Sequence, residues 1–112
     1  MRKRKTDTMT KIFDFNKIEG FPYEERQKNV LYNNDDFKIR IIDLAENGSL
    51  PECNMESHVV FIVMQGQVDI TVNRKVNSLS EKQSLASEPA EFSIKTDKGA
   101  KLMGIQIKKT GK

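Results

Sequence analysis

The residues of this sequence that are best suited to chemistry lie close together between Glu52 and His58. Cys53 is the single cysteine and His58 the single histidine, and a thiol activated by an imidazole is a common nucleophile. The two positions differ by five, so on a continuous strand their side chains point to opposite faces. A loop could bring them together, but no cysteine-rich or elbow-like context accompanies them. The sequence therefore favours Cys53 as a small buried hydrophobic residue over a nucleophile or redox sensor.

A set of methionine and phenylalanine residues could line a pocket for a small ligand. Methionine adapts to apolar surfaces of varied shape, and the set consists of Met55, Met64, Met103, Phe61 and Phe92. Plain core packing explains these residues at least as well. The sequence contains no glycine-rich loop that would cradle a phosphate, and no pair of carboxylates can be placed together from spacing alone.

The clearest element that could position these side chains is a strand over residues 59–64. Its six apolar residues are mostly β-branched or aromatic, which predicts a strand buried on both faces. Gln65 and Gly66 then predict a two-residue hairpin turn, because glycine adopts the positive φ that such turns require. Residues 67–73 alternate between polar and apolar, which predicts a half-buried partner strand.

Short strands separated by turn signals account for most of the remaining chain. Further strands are predicted over residues 30–32, 37–44, 76–79, 92–95 and 100–109, with short strand candidates over residues 12–18 and 85–88. Clusters of Asn, Asp, Ser and Gly mark turns at 33–36, 46–49 and 96–99. Only residues 24–28 could be helical, and that segment is too short to be stable alone. Eight or nine short strands with almost no helix predict an all-β sandwich or barrel.

Length and composition are those of one globular domain. The chain has 112 residues, of which 37% are hydrophobic and 31% charged. No apolar run approaches the ~18 residues that span a bilayer, so no membrane association is expected. No apolar stretch follows the basic N-terminus, so no signal peptide is expected either. A single cysteine cannot form an internal disulfide, which fits a reducing, cytoplasmic location.

The net charge of +3 arises from the N-terminus. Residues 1–11 contain five basic residues and one acidic residue, whereas the rest of the chain contains 14 basic and 15 acidic residues. We predict a disordered basic arm over residues 1–10 and a single domain over residues 11–112. A basic arm can bind nucleic acid through the phosphates. No helix–turn–helix pattern or aromatic-studded basic strand supports this, so nucleic acid is not the favoured partner.

The order of strands and turns resembles the cupins, which are small β-barrels with a jelly-roll topology. The resemblance covers residues 37–108, and Pro51, Gly66 and Pro89 match the punctuation of the two cupin sequence motifs. Metal-binding cupins hold a divalent metal inside the barrel with three histidines and one glutamate. By the spacing of those motifs, the four ligand positions fall on Cys53, Met55, Val59 and Phe92.

These four side chains do not provide the nitrogen and oxygen donors of such a metal site. The resemblance therefore implies an all-β, antiparallel jelly-roll or cupin-like β-barrel that binds no metal and requires no cofactor. Its interior is either filled or forms a dry ligand pocket. The predicted lining of that pocket is Cys53, Met55, Val59, Phe61, Phe92 and Met103.

A one-residue slip exchanges the two faces of a strand and creates an alternative. In the slipped register Glu52, Asn54 and His58 share a face and offer oxygen and nitrogen donors, with Glu91 or Ser93 as the nearest fourth ligand. This set would make the protein a metal-dependent enzyme of the isomerase or dioxygenase type found in the family. The simpler explanation is a group of solvated loop residues and an edge histidine.

The sequence does not specify one function, and it favours a non-enzymatic role. The preferred hypothesis is a metal-free barrel that binds a small, partly apolar molecule or has a structural, dimer-forming role. Cupin-like chains often pair through their sheets, so the resemblance implies a homodimer. Residues 12–18 are the candidate segment to reach the partner chain. The alternatives are the metal-dependent enzyme and a sensor module that contacts nucleic acid through its arm.

Overall fold

The chain folds into a curled antiparallel β-sheet preceded by one short 3-10 helix. The computed structural model describes residues 10–21 and 23–108. The helix spans Tyr23–Asn29, and the strands are β1 (Val30–Asn33), β2 (Phe37–Leu44), β3 (Ser49–Met55), β4 (His58–Val72), β5 (Lys75–Ser80), β6 (Ser84–Ser87), β7 (Ala90–Lys95) and β8 (Ala100–Ile107). The predicted all-β antiparallel architecture is confirmed. The predicted disordered arm lies, except for Thr10, outside the described residues.

Strand β4 joins the two halves of the sheet, because its two parts pair with different strands. The first part pairs with β8 and β6, and β8 continues through β2 to β1. The second part pairs with β5 and β7, and β7 continues to β3. All strand pairs are antiparallel, and the two halves of the sheet curl around one interior. Strand β3 lies at one edge of the strand order.

The predicted hairpin at Gln65 and Gly66 is wrong, because β4 runs through both residues without turning back. Gly66 does have a positive φ, of 85°, but it pairs with Ala100 of β8 next to a register shift between Val63 and Gln65. A glycine with positive φ occurs in β-bulges as well as in tight turns. The chain reverses instead at Asn73 and Arg74, whose φ values of 47° and 73° suit a tight two-residue hairpin.

The bulge exchanges the face of β4 that is buried. Before it, Val59 and Val63 point into the core, and after it Val68 and Ile70 do so. The odd-numbered residues are thus buried first and the even-numbered residues afterwards, as expected when one residue is inserted in a strand of period two. Residues 59–64 are consequently not buried on both faces. Their even-numbered side chains lie half-buried on the outer face of the sheet.

The segment before the helix is tied to the outside of the sheet. The Lys101 ammonium donates a hydrogen bond to the carbonyl oxygen of Ile18 at 3.0 Å. The buried Asn29 side chain accepts from the backbone N–H of Phe21 at 2.8 Å and donates to its carbonyl at 2.9 Å. The predicted short strand is absent from residues 12–18, which lack regular structure apart from one turn. In the described part of the chain, no helix has the length and hydrophobicity that crossing a bilayer would need.

Candidate functional site

A cavity of about 300 Å³ lies between the two halves of the curled sheet. Strands β2, β3, β4, β7 and β8 form its walls, and the 3-10 helix contributes Arg26. Small-molecule pockets range from ~300 to 1,000 Å³, so the cavity suits only a small ligand. Its apolar lining consists of Ile42, Leu50, Pro51, Met55, Val59, Phe61, Phe92, Ile94 and Ile105.

The four positions that the cupin resemblance assigned to metal ligands all line this cavity, although they come from three strands. Cys53 and Met55 lie on β3, Val59 on β4 and Phe92 on β7. Cys53 and Phe92 are direct cross-strand partners. The Phe92 ring also packs edge-on against Phe61, with ring centroids 5.8 Å apart. The structure therefore brings these four side chains together at one cavity.

Two predicted site residues are placed differently from expectation. Met103 does not line the cavity, because its neighbours Leu102 and Gly104 are the buried residues of β8 and strand alternation turns Met103 to the outer face. Cys53 lines the cavity but is exposed rather than buried. It lies on β3, which is at the edge of the strand order, so no neighbouring strand covers that side.

The residues of the cavity do not fit the divalent metal that many cupins bind. A thiol, a thioether, an isopropyl group and a phenyl ring occupy the ligand positions, whereas Fe, Mn, Ni and Zn sites of this kind use imidazole and carboxylate. Among the described residues, no three His, Cys, Asp or Glu side chains are grouped to hold a metal ion.

The alternative ligand set is not gathered at the cavity. Of Glu52, Asn54 and His58, only Glu52 lines it. His58 is exposed, and since its neighbour Val59 points into the core, the imidazole lies on the outer face of β4. That orientation also separates His58 from Cys53, which lines the cavity.

Arg40 was not singled out from the sequence; it lies on the inner face of β2 and is the most informative addition to the site. A Cβ atom built on Gly104 would lie 3.5 Å from Cγ of Arg40 and 3.6 Å from the Phe61 ring. The aliphatic stem of Arg40 therefore crosses the space above Gly104, inside the barrel. Its Nε atom is buried. The sequence carried only an ambiguous signal, because Arg40 shares strand parity with Ile42 and Leu44 while Ile39 and Ile41 have the other parity.

A second arginine borders the same cavity from the 3-10 helix. Arg26 lines the cavity together with Arg40, and both also line a small crevice beside Asn29. The two bonds between Asn29 and Phe21 fix the end of the helix that carries Arg26. The lining also includes three polar residues from the β-strands: Glu52, Ser93 and Gln106. The cavity therefore combines a mostly apolar lining with two arginines and a few further polar groups.

A second depression, of about 510 Å³, lies toward the other end of β4 and β7. Its polar groups maintain local structure. The Thr96 hydroxyl donates to the Gln67 carbonyl at 2.7 Å and accepts from the Gly99 N–H at 3.2 Å. The Ser78 hydroxyl donates to the Asp69 carboxylate at 2.6 Å. Although it is larger, this depression combines neither the apolar lining nor the converging strands of the first cavity.

The same architecture occurs in cupin proteins of known structure. A cupin-2 domain protein from Shewanella frigidimarina matches 87% of this chain and 95% of its own, with a TM-score of 0.68 and 17% identity. A cupin superfamily protein from Desulfitobacterium hafniense matches 82% of this chain and 84% of its own, with a TM-score of 0.68 and 18% identity. A conserved protein of unknown function from Streptococcus pyogenes matches 73% of each chain, with a TM-score of 0.68 and 12% identity.

These similarities establish the cupin fold, which is the fold that the resemblance implied. The sequence itself matches no protein-family model and no curated protein.

Proposed function

We propose that this chain, a barrel of cupin fold, is a non-enzymatic protein that binds a small, partly apolar molecule without a metal. The observation that supports this is the cavity itself. The four positions at which metal-binding cupins carry ligands line it with Cys53, Met55, Val59 and Phe92. Val59 and Phe92 are 2% and 3% exposed, so they form a rigid apolar wall.

A binding role is favoured over catalysis by the placement of the reactive groups. Cys53 and His58 lie on opposite sides of the sheet wall, so the imidazole cannot take the proton of the thiol. Among the described cavity residues, Glu52 is the single carboxylate, which leaves no paired acid and base. Apolar contacts with a few polar groups are instead typical of a binding pocket.

The test is the binding of a neutral environment-sensitive fluorophore, prodan, to the wild-type chain and to Gly104→Val. A Cβ at Gly104 makes only ordinary contacts with three side chains, Arg40, Phe61 and Ile42, and the two methyl groups of valine would extend beyond it among these cavity side chains. Ala86→Val is the matched control, because it adds the same volume to an exposed residue of β6. We expect a blue-shifted emission with the wild-type chain and Ala86→Val, and none with Gly104→Val.

Cooperative thermal unfolding of all three proteins would show that the variants fold. Equal prodan binding by Gly104→Val and the wild-type chain would place the ligand elsewhere and contradict the proposal.

We also propose that the chain forms a homodimer through the outer face of β4 and β8 and the N-terminal segment. Ile12 is 92% exposed and Phe15 40% exposed. Ile62 and Met103 are half-buried cross-strand partners on the outer face. Apolar side chains on an exposed segment beside an apolar sheet face favour pairing with a second copy.

A further inference from the structure

We infer that the ligand of the cavity is a small carboxylate with an apolar body, whose anionic group is bound by Arg40 and Arg26. This inference rests on the proposed binding function and adds the chemical class of the ligand. The four apolar positions described above would contact the body, and the two guanidinium groups would contact the carboxylate.

The first observation is the position of Arg40. The Cγ atom of Arg40 lies 3.5 Å from the position that a Cβ atom on Gly104 would take, and the Phe61 ring lies 3.6 Å from the same position. The Nε atom of Arg40 is buried. An anion in the cavity is attracted to this guanidinium group more strongly than it would be in water, because the apolar lining lowers the local dielectric. Because Arg40 extends from the middle of a paired strand, its backbone is held in place.

The second observation is that Arg26 reaches the same cavity from a different element. The 3-10 helix that carries it is anchored by Asn29, which is 4% exposed. Each guanidinium group has five N–H donors in a planar fork that matches the two oxygens of a carboxylate. An arginine can therefore keep a partner within the protein and still donate to a ligand.

The third observation is the local charge. The ionisable side chains of the cavity lining with acidic or basic character are two arginines and one glutamate, Glu52. The chain beyond residue 11 has 14 basic and 15 acidic residues, so the excess of arginine at the cavity is local and does not follow from composition. Charge complementarity therefore favours an anion beside the two arginines.

The experiment compares 2-naphthoate with its neutral isostere 2-naphthamide by calorimetric titration. The two probes share the same apolar body and differ in the anionic group. We expect the wild-type chain to bind the carboxylate at least about tenfold more tightly, since hydrogen bonds to charged groups are stronger than those to neutral groups. In Arg40→Met, which keeps an unbranched side chain, the preference should fall by at least about threefold, because only Arg26 remains to contact the carboxylate.

Lys75→Met is the matched control for loss of one positive charge, because Lys75 is exposed on β5 away from the cavity. It should keep the wild-type preference. Glu52→Gln should strengthen carboxylate binding alone, because it removes the one negative charge of the lining.

The outcomes separate the two proposals. Equal binding of amide and carboxylate by the wild-type chain would overturn the anion inference and leave the binding function standing. Binding of neither probe would overturn both. The wild-type comparison requires no variant, so it decides the inference even if Arg40→Met fails to fold. A preference for 2-naphthalenesulfonate over 2-naphthoate would overturn the choice of carboxylate.

Discussion

The four side chains at the cupin ligand positions determine what the cavity can hold. Cys53 and Met55 carry sulfur, and Val59 and Phe92 carry only hydrocarbon. Zinc, manganese, nickel and iron sites of the three-histidine, one-glutamate type need imidazole nitrogen and carboxylate oxygen. In metal-binding cupins these positions direct ligands toward a metal, whereas in this chain they direct apolar groups toward the cavity. A change of chemistry at these residues leaves the cupin fold intact, and under the proposed function it also changes the class of ligand.

We therefore expect no stoichiometric metal in the protein. Tag-free protein purified without chelators, then incubated separately with Fe, Mn, Ni and Zn and desalted, should give a metal-to-chain ratio near zero by elemental analysis. His58→Ala is the control, because His58 belongs to the alternative ligand set but lies outside the cavity. It should leave the measured metal content unchanged. A ratio near one that is lost in His58→Ala would support the metal-dependent enzyme instead.

Arg40 illustrates what the sequence could not decide at the scale of a residue. Residues 37–44 carry apolar side chains on both faces of the strand. Ile39 and Ile41 point to one face, and Ile42 and Leu44 point to the other. Period-two alternation alone cannot say which set faces the core. The N-terminal segment packs outside this half of the sheet, and Ile41 on the outer face is 1% exposed. Arg40 consequently shares the inner face with Ile42.

At the scale of elements, Gly66 governs the path of β4. It has a φ of 85°, and a Cβ atom there would collide with the carbonyl oxygen of Gly99. Local sequence predicted the positive φ, but a hairpin turn and a bulge both use it. The choice depends on β8, which lies more than 30 residues later and pairs Ala100 with Gly66. Turns that depend only on local residues, such as that at Gly99 with its φ of 105°, were predicted correctly.

Gly66→Ala should lower the free energy of unfolding by at least about 2 kcal/mol. An L-residue in this backbone region costs about 1–2 kcal/mol, and the contact with the Gly99 carbonyl adds strain. Urea denaturation monitored by circular dichroism measures the change. Gly104→Ala is the matched control, because its added Cβ makes only ordinary contacts. Its stability should stay within about 1 kcal/mol of the wild-type value. Equal stability of Gly66→Ala and Gly104→Ala would contradict the role of Gly66.

At the scale of the whole molecule, the inside and the outside of the sheet both carry apolar surface. The core and the cavity share the interior, because the cavity lining includes five residues of the core: Ile42, Val59, Phe61, Phe92 and Ile94. On the outer face, Ile62 lies beside Met103, which in turn lies beside Ile41. The turn signals and strand lengths predicted the all-β class because each strand is bounded locally. The cover provided by residues 10–21 depends on tertiary contacts and could not be predicted.

The outer face and the exposed apolar residues of the N-terminal segment lead to the last prediction, on oligomeric state. Sedimentation velocity at micromolar concentration should give twice the mass of one chain. Ile12→Asp should shift the protein toward monomer, because a carboxylate buried at an interface has a large desolvation cost. Val76→Asp is the control, since Val76 is 58% exposed in the β4–β5 hairpin. It introduces the same charge at an apolar surface residue in the half of the sheet that does not contain β8, so the dimer should persist.

A monomer at every concentration would contradict the dimer. Dissociation of Val76→Asp to the same degree as Ile12→Asp would show that association depends on net charge or on a different surface. Dissociation of Ile12→Asp alone would assign the interface to the N-terminal segment. Because that segment is also tied through Lys101 to β8 and through Asn29 to the helix that carries Arg26, pairing of two chains would hold Arg26 in place beside each cavity.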